Sequence, residues 1–200
     1  MAITRRAQLG VASYPLKWQA VEKLINAAPN TRDKLLLEVM AWGGLRRHEA
    51  AALRPKDVDA EGTRLEVRAG KGGIARTVPI PERLAKDLGR FIREEKLPVT
   101  KPVFGVSARR INQIVAKAAE LAKVRSPHPG IVTAGQGTRY HIVTPHLLRH
   151  ALAHEFKRRG GSISALQALM GHADPRTTML LYGRLTVDDV AEEVGRVMGN

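Results

Sequence analysis

Between Thr63 and Ile80 the chain reads TRLEVRAGKGGIARTVPI, two alternating runs rich in β-formers joined by Gly-Lys-Gly-Gly. This pattern predicts a β-hairpin. Almost everywhere else the apolar spacing is helical. Leu16, Ala20, Val21, Leu24 and Ile25 form one stripe, and TRDKLLLEVMAWGG predicts a helix capped by Thr31 and closed by a glycine pair. GLRRHEAAALRPKDVD predicts a turn and a short helix ended by Pro55. Six further segments share helical spacing: PERLAKDLGRFIREE, SARRINQIVAKAAELA, TPHLLRHALAHEFKRRG, SISALQALMGH, DPRTTMLLYGR and TVDDVAEEVGRVMG. One strand pair among so many helices predicts a mainly α chain with a small antiparallel β-hairpin, of α+β class. At 200 residues it should form a single core. Residues 124–143, with their Pro and Gly, predict a long loop or irregular hairpin.

Charge narrows the function. Lys plus Arg number 33 against 19 Asp plus Glu, giving a formal net charge of +14. Such an excess suits a polyanionic partner, nucleic acid first. An acidic membrane fits less well, because no apolar run approaches the roughly 18 residues a spanning helix needs and no segment sets basic residues opposite an aromatic face. Aromatics are 4% of the chain, too few for the stacking platforms of single-strand and RNA binders, so duplex DNA is expected. The absence of cysteine removes disulfides and thiolate zinc sites, and MAITRRAQLG is not a signal peptide, so a cytoplasmic, nucleoid-associated location is expected.

In TPHLLRHALAHEF, His146, His150 and His154 recur at four-residue intervals on a predicted helix. That spacing permits a metal site if a further ligand arrives. The intervening residues offer no carboxylate, however, and Arg149 would repel a cation. Arg149 follows His146 by three residues, so the two emerge on one helix face and could address a single phosphate. The guanidinium would clamp it, and the imidazole would act as acid or base. His150 and His154 are expected to be structural.

TPHLLRH, the later LMGHADPRTTMLLYGR, the upstream GGLRRHE and the hairpin GKGGIARTVPI occur in an order that resembles the catalytic domain of tyrosine recombinases, the phage integrase family. The resemblance covers residues 15 to 198. It implies that the family's first arginine is Arg46, with Glu49 three residues on as its support, that the hairpin lysine is Lys71, and that the H-x-x-R pair is His146 and Arg149. The later Gly-His falls on His172 and the nucleophilic tyrosine on Tyr182. Arg47, Arg76 and the basic stretch that begins at Ala108 and Arg109 are expected to contact DNA. The implied activity is site-specific recombination through a covalent 3′-phosphotyrosyl intermediate, with no cofactor, metal or ATP and no small-molecule substrate. A homotetramer on DNA is implied, with a monomer compatible with the free state.

The chemistry asks for these residue types. Breaking a phosphodiester without metal requires cations on the non-bridging oxygens, a nucleophile, and an acid for the leaving group. Each residue also has a plainer role open to it. Arg46 and Arg47 could be surface residues, Lys71 an ordinary turn lysine, His172 a helix cap beside Asp174 and Pro175, and Tyr182 a core cap near a helix end. Tyr182 follows His172 by ten residues, one more than in many family members. Residues 1–14 read as an arm or linker remnant, 15–184 as the catalytic domain and 185–200 as a helical tail, without the N-terminal helical domain usual in the family. The tail's stripe of Val187, Val190, Ala191, Val194, Val197 and Met198 could dock on its own body or on a neighbouring protomer. A type IB topoisomerase-like strand transferase, a metal-dependent nuclease on the histidine stripe, and an accessory DNA binder without catalysis are the alternatives.

Overall fold

The computed structural model describes residues 15–68, 75–126 and 143–171. Their elements run α1 (Trp18–Asn26), α2 (Thr31–Trp42), α3 (Arg47–Ala52), a 3-10 turn (Pro55–Asp57), β1 (Val58–Asp59), β2 (Arg64–Val67), β3 (Arg76–Pro79), α4 (Glu82–Glu94), α5 (Ala108–Leu121), α6 (Pro145–Arg158) and α7 (Ile163–Met170). This is the mainly helical α+β arrangement that the spacing predicts. The segments DPRTTMLLYGR and TVDDVAEEVGRVMG, the arm, the hairpin turn and most of 124–143 lie outside the described residues.

The centre is α2. Leu36, Leu37, Val39, Met40 and Ala41 are all fully buried, and the helix packs against α1, α3, α4 and α6. After its polar first turn the helix is buried on every side, the position of an element inside a protein. Of its two buried carboxylates, Asp33 sits in the first turn and Glu38, 2% exposed, accepts from Arg83 Nη2 at 2.6 Å. The cap of α2 is Asn30 rather than Thr31: the Asn30 side chain accepts from Asp33 N at 2.8 Å. Asparagine and threonine both cap well, and adjacent capping residues leave the sequence ambiguous by one position.

The sheet is antiparallel in the order β1-β2-β3, with Leu65 opposite both Val58 and Val78. The two-residue strand β1 is an addition to the hairpin that sequence predicts; it is too short for its alternation to be legible. Leu65, Val67 and Val78 face the core, while Arg64, Glu66 and Thr77 face solvent. Val67 pairs with Arg76, so the inward register also carries a guanidinium into the interior. Among the described residues no helix is long and apolar enough to cross a membrane.

Candidate active site

Arg46 occupies the N-cap of α3, anchored by Leu45, which is 1% exposed. Glu49, at the third position of that helix, accepts from Arg46 N at 2.7 Å and from Arg46 Nη1 at 3.1 Å. This is half of a capping box, the half a carboxylate can supply, since arginine has no acceptor to return the bond. Arg46 Nη2 reaches across to the Gly171 carbonyl at 3.4 Å.

Arg149 comes from α6, which starts with Pro145 in its first turn and buries Leu147, Leu148, Ala151 and Leu152. Arg149 is 4% exposed. It donates from Nη1 to the Gly44 carbonyl and from Nη2 to the Met170 carbonyl. Two arginines far apart in sequence thus end on the neighbouring carbonyls of Met170 and Gly171, at the C-terminus of α7. Both carbonyl-bearing glycines are left-handed, Gly44 at φ +61° and Gly171 at φ +58°. That geometry favours glycine: it accounts for Gly44, while Gly43 is right-handed at φ -85°, and it makes Gly171 the left-handed C-cap that ends α7.

His146, on the first turn of α6, shares this locality. Its pKa lies below the usual imidazole value, first because the surrounding protein strips water from the ring and then because the charges of Arg149 and Arg46 oppose protonation. His146 precedes Arg149 by three residues on α6, so the two side chains leave the same helix face. The His146 ring stands nearly perpendicular to His150, with Nε2 to Nε2 at 2.7 Å. One nitrogen must donate and the other accept, so the pair fixes complementary tautomers. His150, 2% exposed, is therefore a hydrogen-bond partner of the candidate base as well as a core residue. His154 is partly buried on the same helix. Among the described residues no group of three or more His, Asp or Glu is arranged to hold a metal ion.

The expected DNA contacts divide. Arg47 is exposed and donates to Asn112 Oδ1 at 3.4 Å, and Asn112 stands three residues after exposed Arg109 on α5, so the two arginines share an edge. Position 108 is an alanine and brings no charge; the basic pair there is Arg109 and Arg110. Arg76 does not face solvent. Its side chain is 6% exposed, donates from Nη1 and Nη2 to Glu49 Oε1 at 3.0 Å and Oε2 at 2.9 Å, and from Nε to the Leu169 carbonyl at 2.8 Å. The strand alternation held this signal, because Arg76, Val78 and Ile80 share a parity. Glu49 consequently serves two arginines. Burial alone would raise its pKa, yet the bonds from Arg76 and Arg46 N and the two charges hold it down at about 2. Lys71, His172 and Tyr182 lie outside the described residues.

On a mainly helical α+β body, two guanidiniums end on adjacent carbonyls, and one of them leaves the helix face that also carries an imidazole of depressed pKa. Residues 16–187 match the phage integrase family model. Over 175 residues the chain is 33% identical to tyrosine recombinase XerA of Pyrococcus horikoshii, covering 87% of this chain and 58% of that protein. It is 34% identical over 188 residues to tyrosine recombinase XerC 2 of Ralstonia nicotianae, covering 86% and 50%. The crystal structure of XerA recombinase superposes with a TM-score of 0.72 at 25% identity, over 93% of this chain and 64% of that one. XerH site-specific recombinase bound to its difH substrate shares the fold, with a TM-score of 0.66 at 19% identity over 90% of this chain and 53% of that one. The chain belongs to the phage integrase family. It spans between half and three fifths of the length of these two curated relatives.

Proposed function

We propose that this chain is the catalytic part of a site-specific DNA recombinase that cuts and rejoins duplex DNA through a 3′-phosphotyrosyl intermediate. The observation that carries the proposal is the meeting of Arg46 and Arg149 at the Met170–Gly171 carbonyls, beside His146. Arginine is always charged and addresses phosphate through a planar fork, so two of them would neutralise the non-bridging oxygens of one scissile linkage.

In this mechanism the Tyr182 phenolic oxygen attacks phosphorus and its proton passes to neutral His146. A free phenol ionises near pH 10, so the cationic site lowers the cost of forming the phenolate. The bond from phosphorus to the 5′ oxygen breaks, and Lys71 protonates that oxygen as it leaves. His172 would hydrogen-bond the phosphoryl group. Each step is reversible: a 5′ hydroxyl from another strand attacks the phosphotyrosyl bond, the phenol regains its proton, and the phosphodiester is remade without ATP or metal. Arg47 and Arg109 would grip the DNA backbone. Relatives of these names suggest duplex DNA as partner, and exchange between two sites calls for several copies of the chain on DNA, a tetramer in the simplest scheme.

The test uses a pool of nicked duplexes with a randomised core, in which cleavage releases a short strand and traps the intermediate. Incubated in chelator, the wild-type chain should form an adduct with DNA that survives denaturation and is abolished by Tyr182→Phe. Cleavage that requires divalent metal, or an adduct that persists in Tyr182→Phe, would overturn the proposal.

A further inference from the structure

A third arginine lies within this site, and its side chain is buried. Arg76 is buried between β3, α3 and the end of α7, and the proposed chemistry gives it no role. We propose that Arg76 is a positioning residue that sets Arg46 and ties it to the hairpin carrying Lys71. Only its consequence for catalysis rests on the recombinase proposal.

Glu49 receives four hydrogen bonds, from Arg46 N, Arg46 Nη1 and both terminal nitrogens of Arg76. A carboxylate has about four acceptor sites, so this one is saturated and its plane is set by the bidentate partner. That partner is Arg76. The other support of Arg46 is the Gly171 carbonyl, and Arg76 buttresses that turn too. Its Nε binds the Leu169 carbonyl, and a Cβ on Gly171 would stand 2.8 Å from Arg76 Cδ and 2.9 Å from its Nη1. Both supports of Arg46 therefore pass through one guanidinium. Arg76 also pairs with Val67 in the last rung of the ladder before residues 69–74, which include Lys71. Displacement of the hairpin base would move Arg76, and with it Glu49 and Arg46. Lysine cannot replace the fork, because its ammonium cannot span both carboxylate oxygens and the Leu169 carbonyl together.

Two variants test this. Arg76→Lys keeps the charge and removes the fork. Glu49→Met with Arg76→Met replaces the buried pair by apolar residues, a change that proteins frequently accept without loss of stability. In folded, DNA-free protein the His146 ring is titrated by NMR, since Arg46 is one of the charges holding its pKa down. Arg76→Lys, which keeps every charge, should move His146 upward as Arg46 leaves the ring, and the double variant should share its defect in adduct formation. On the nicked pool at saturating DNA, Arg76→Lys should slow adduct formation by about a hundredfold, the scale of a 1 Å misplacement, with DNA affinity unchanged. A folded Arg76→Lys protein whose His146 titrates as in wild type would overturn the inference, as would a defect confined to DNA affinity. Failure of the wild-type chain to form a Tyr182-dependent adduct would sink the recombinase proposal alone, because the His146 titration decides the positioning role without DNA.

Discussion

Replacing Glu49 by Gln isolates the electrostatic contribution of the carboxylate to folding. Glu49 ionises at about 2 in the folded chain against an ordinary 4.5, and its side chain is 4% exposed, so solvent screens it little. At 1.36 kcal/mol per pKa unit, this depression is worth roughly 3 kcal/mol. A depressed carboxylate stabilises the fold fully above its unfolded value, and the contribution is lost as pH falls through the folded one. The full value should therefore be present at neutral pH, decline below pH 4.5, and be about 1 kcal/mol at pH 3. Glu49→Gln keeps the shape but leaves the Arg76 charge buried without its counter-charge, which costs several kcal/mol in comparable pairs, about 3 to 5. Urea unfolding of both proteins from pH 7 to pH 3 gives the difference directly, with Glu155→Gln as the control for the other strongly depressed carboxylate. The gap between wild type and Glu49→Gln should be several kcal/mol at pH 7 and should narrow by about 2 kcal/mol by pH 3. A gap that stays constant over this range would show that Glu49 is not held ionised by the arginines, and the account of the site built on it would fail.

Three further outcomes follow from the same geometry. Because the His146 pKa is depressed, adduct formation should fall as pH drops through a value below the ordinary 6.5, and a half-point above 6.5 in a pH–rate profile would contradict the placement of the two arginines. His150→Phe removes the 2.7 Å partner of His146 while filling similar space; single-turnover cleavage should slow and the DNA dissociation constant should hold, and weakened binding at an unchanged cleavage rate would refute the tautomer role. Gly44→Ala places a Cβ 3.0 Å from Leu152 Cδ2 at φ +61°, and a left-handed alanine costs about 1–2 kcal/mol, so thermal unfolding should shift down measurably; an unshifted midpoint would mean that the turn presenting the Gly44 carbonyl to Arg149 is not left-handed.

The legibility of this chain from sequence follows the range of the interactions involved. The helices and the hairpin were readable because spacing of apolar residues is local. The convergence of Arg46 and Arg149 on one turn was legible through the resemblance, in which the order of four short motifs restricts position. The character of Arg76 was harder to see. In RTVPI its charge suggests solvent, whereas its parity with Val78 and Ile80 points inward. Parity prevailed because Glu49, 27 residues earlier, waits on the inner face, and only the tertiary fold joins the two. The same holds for Gly44 and Gly171, whose local signature is a helix stop but whose carbonyls are held against arginines 105 and 125 residues away in sequence.

Arg46 and Arg149 end on the neighbouring carbonyls of Gly171 and Met170, so a domain of high positive charge brings two guanidiniums to one turn. Like charges at such range repel, and burial worsens the cost. Here Arg149 donates to the Gly44 and Met170 carbonyls, while Arg46 shares the Glu49 carboxylate with Arg76. Glu49 joins Arg46 to Arg76, so the carboxylate that holds the N-cap arginine is itself held by the strand arginine, and neither of these two guanidiniums faces the other without a negative charge between them.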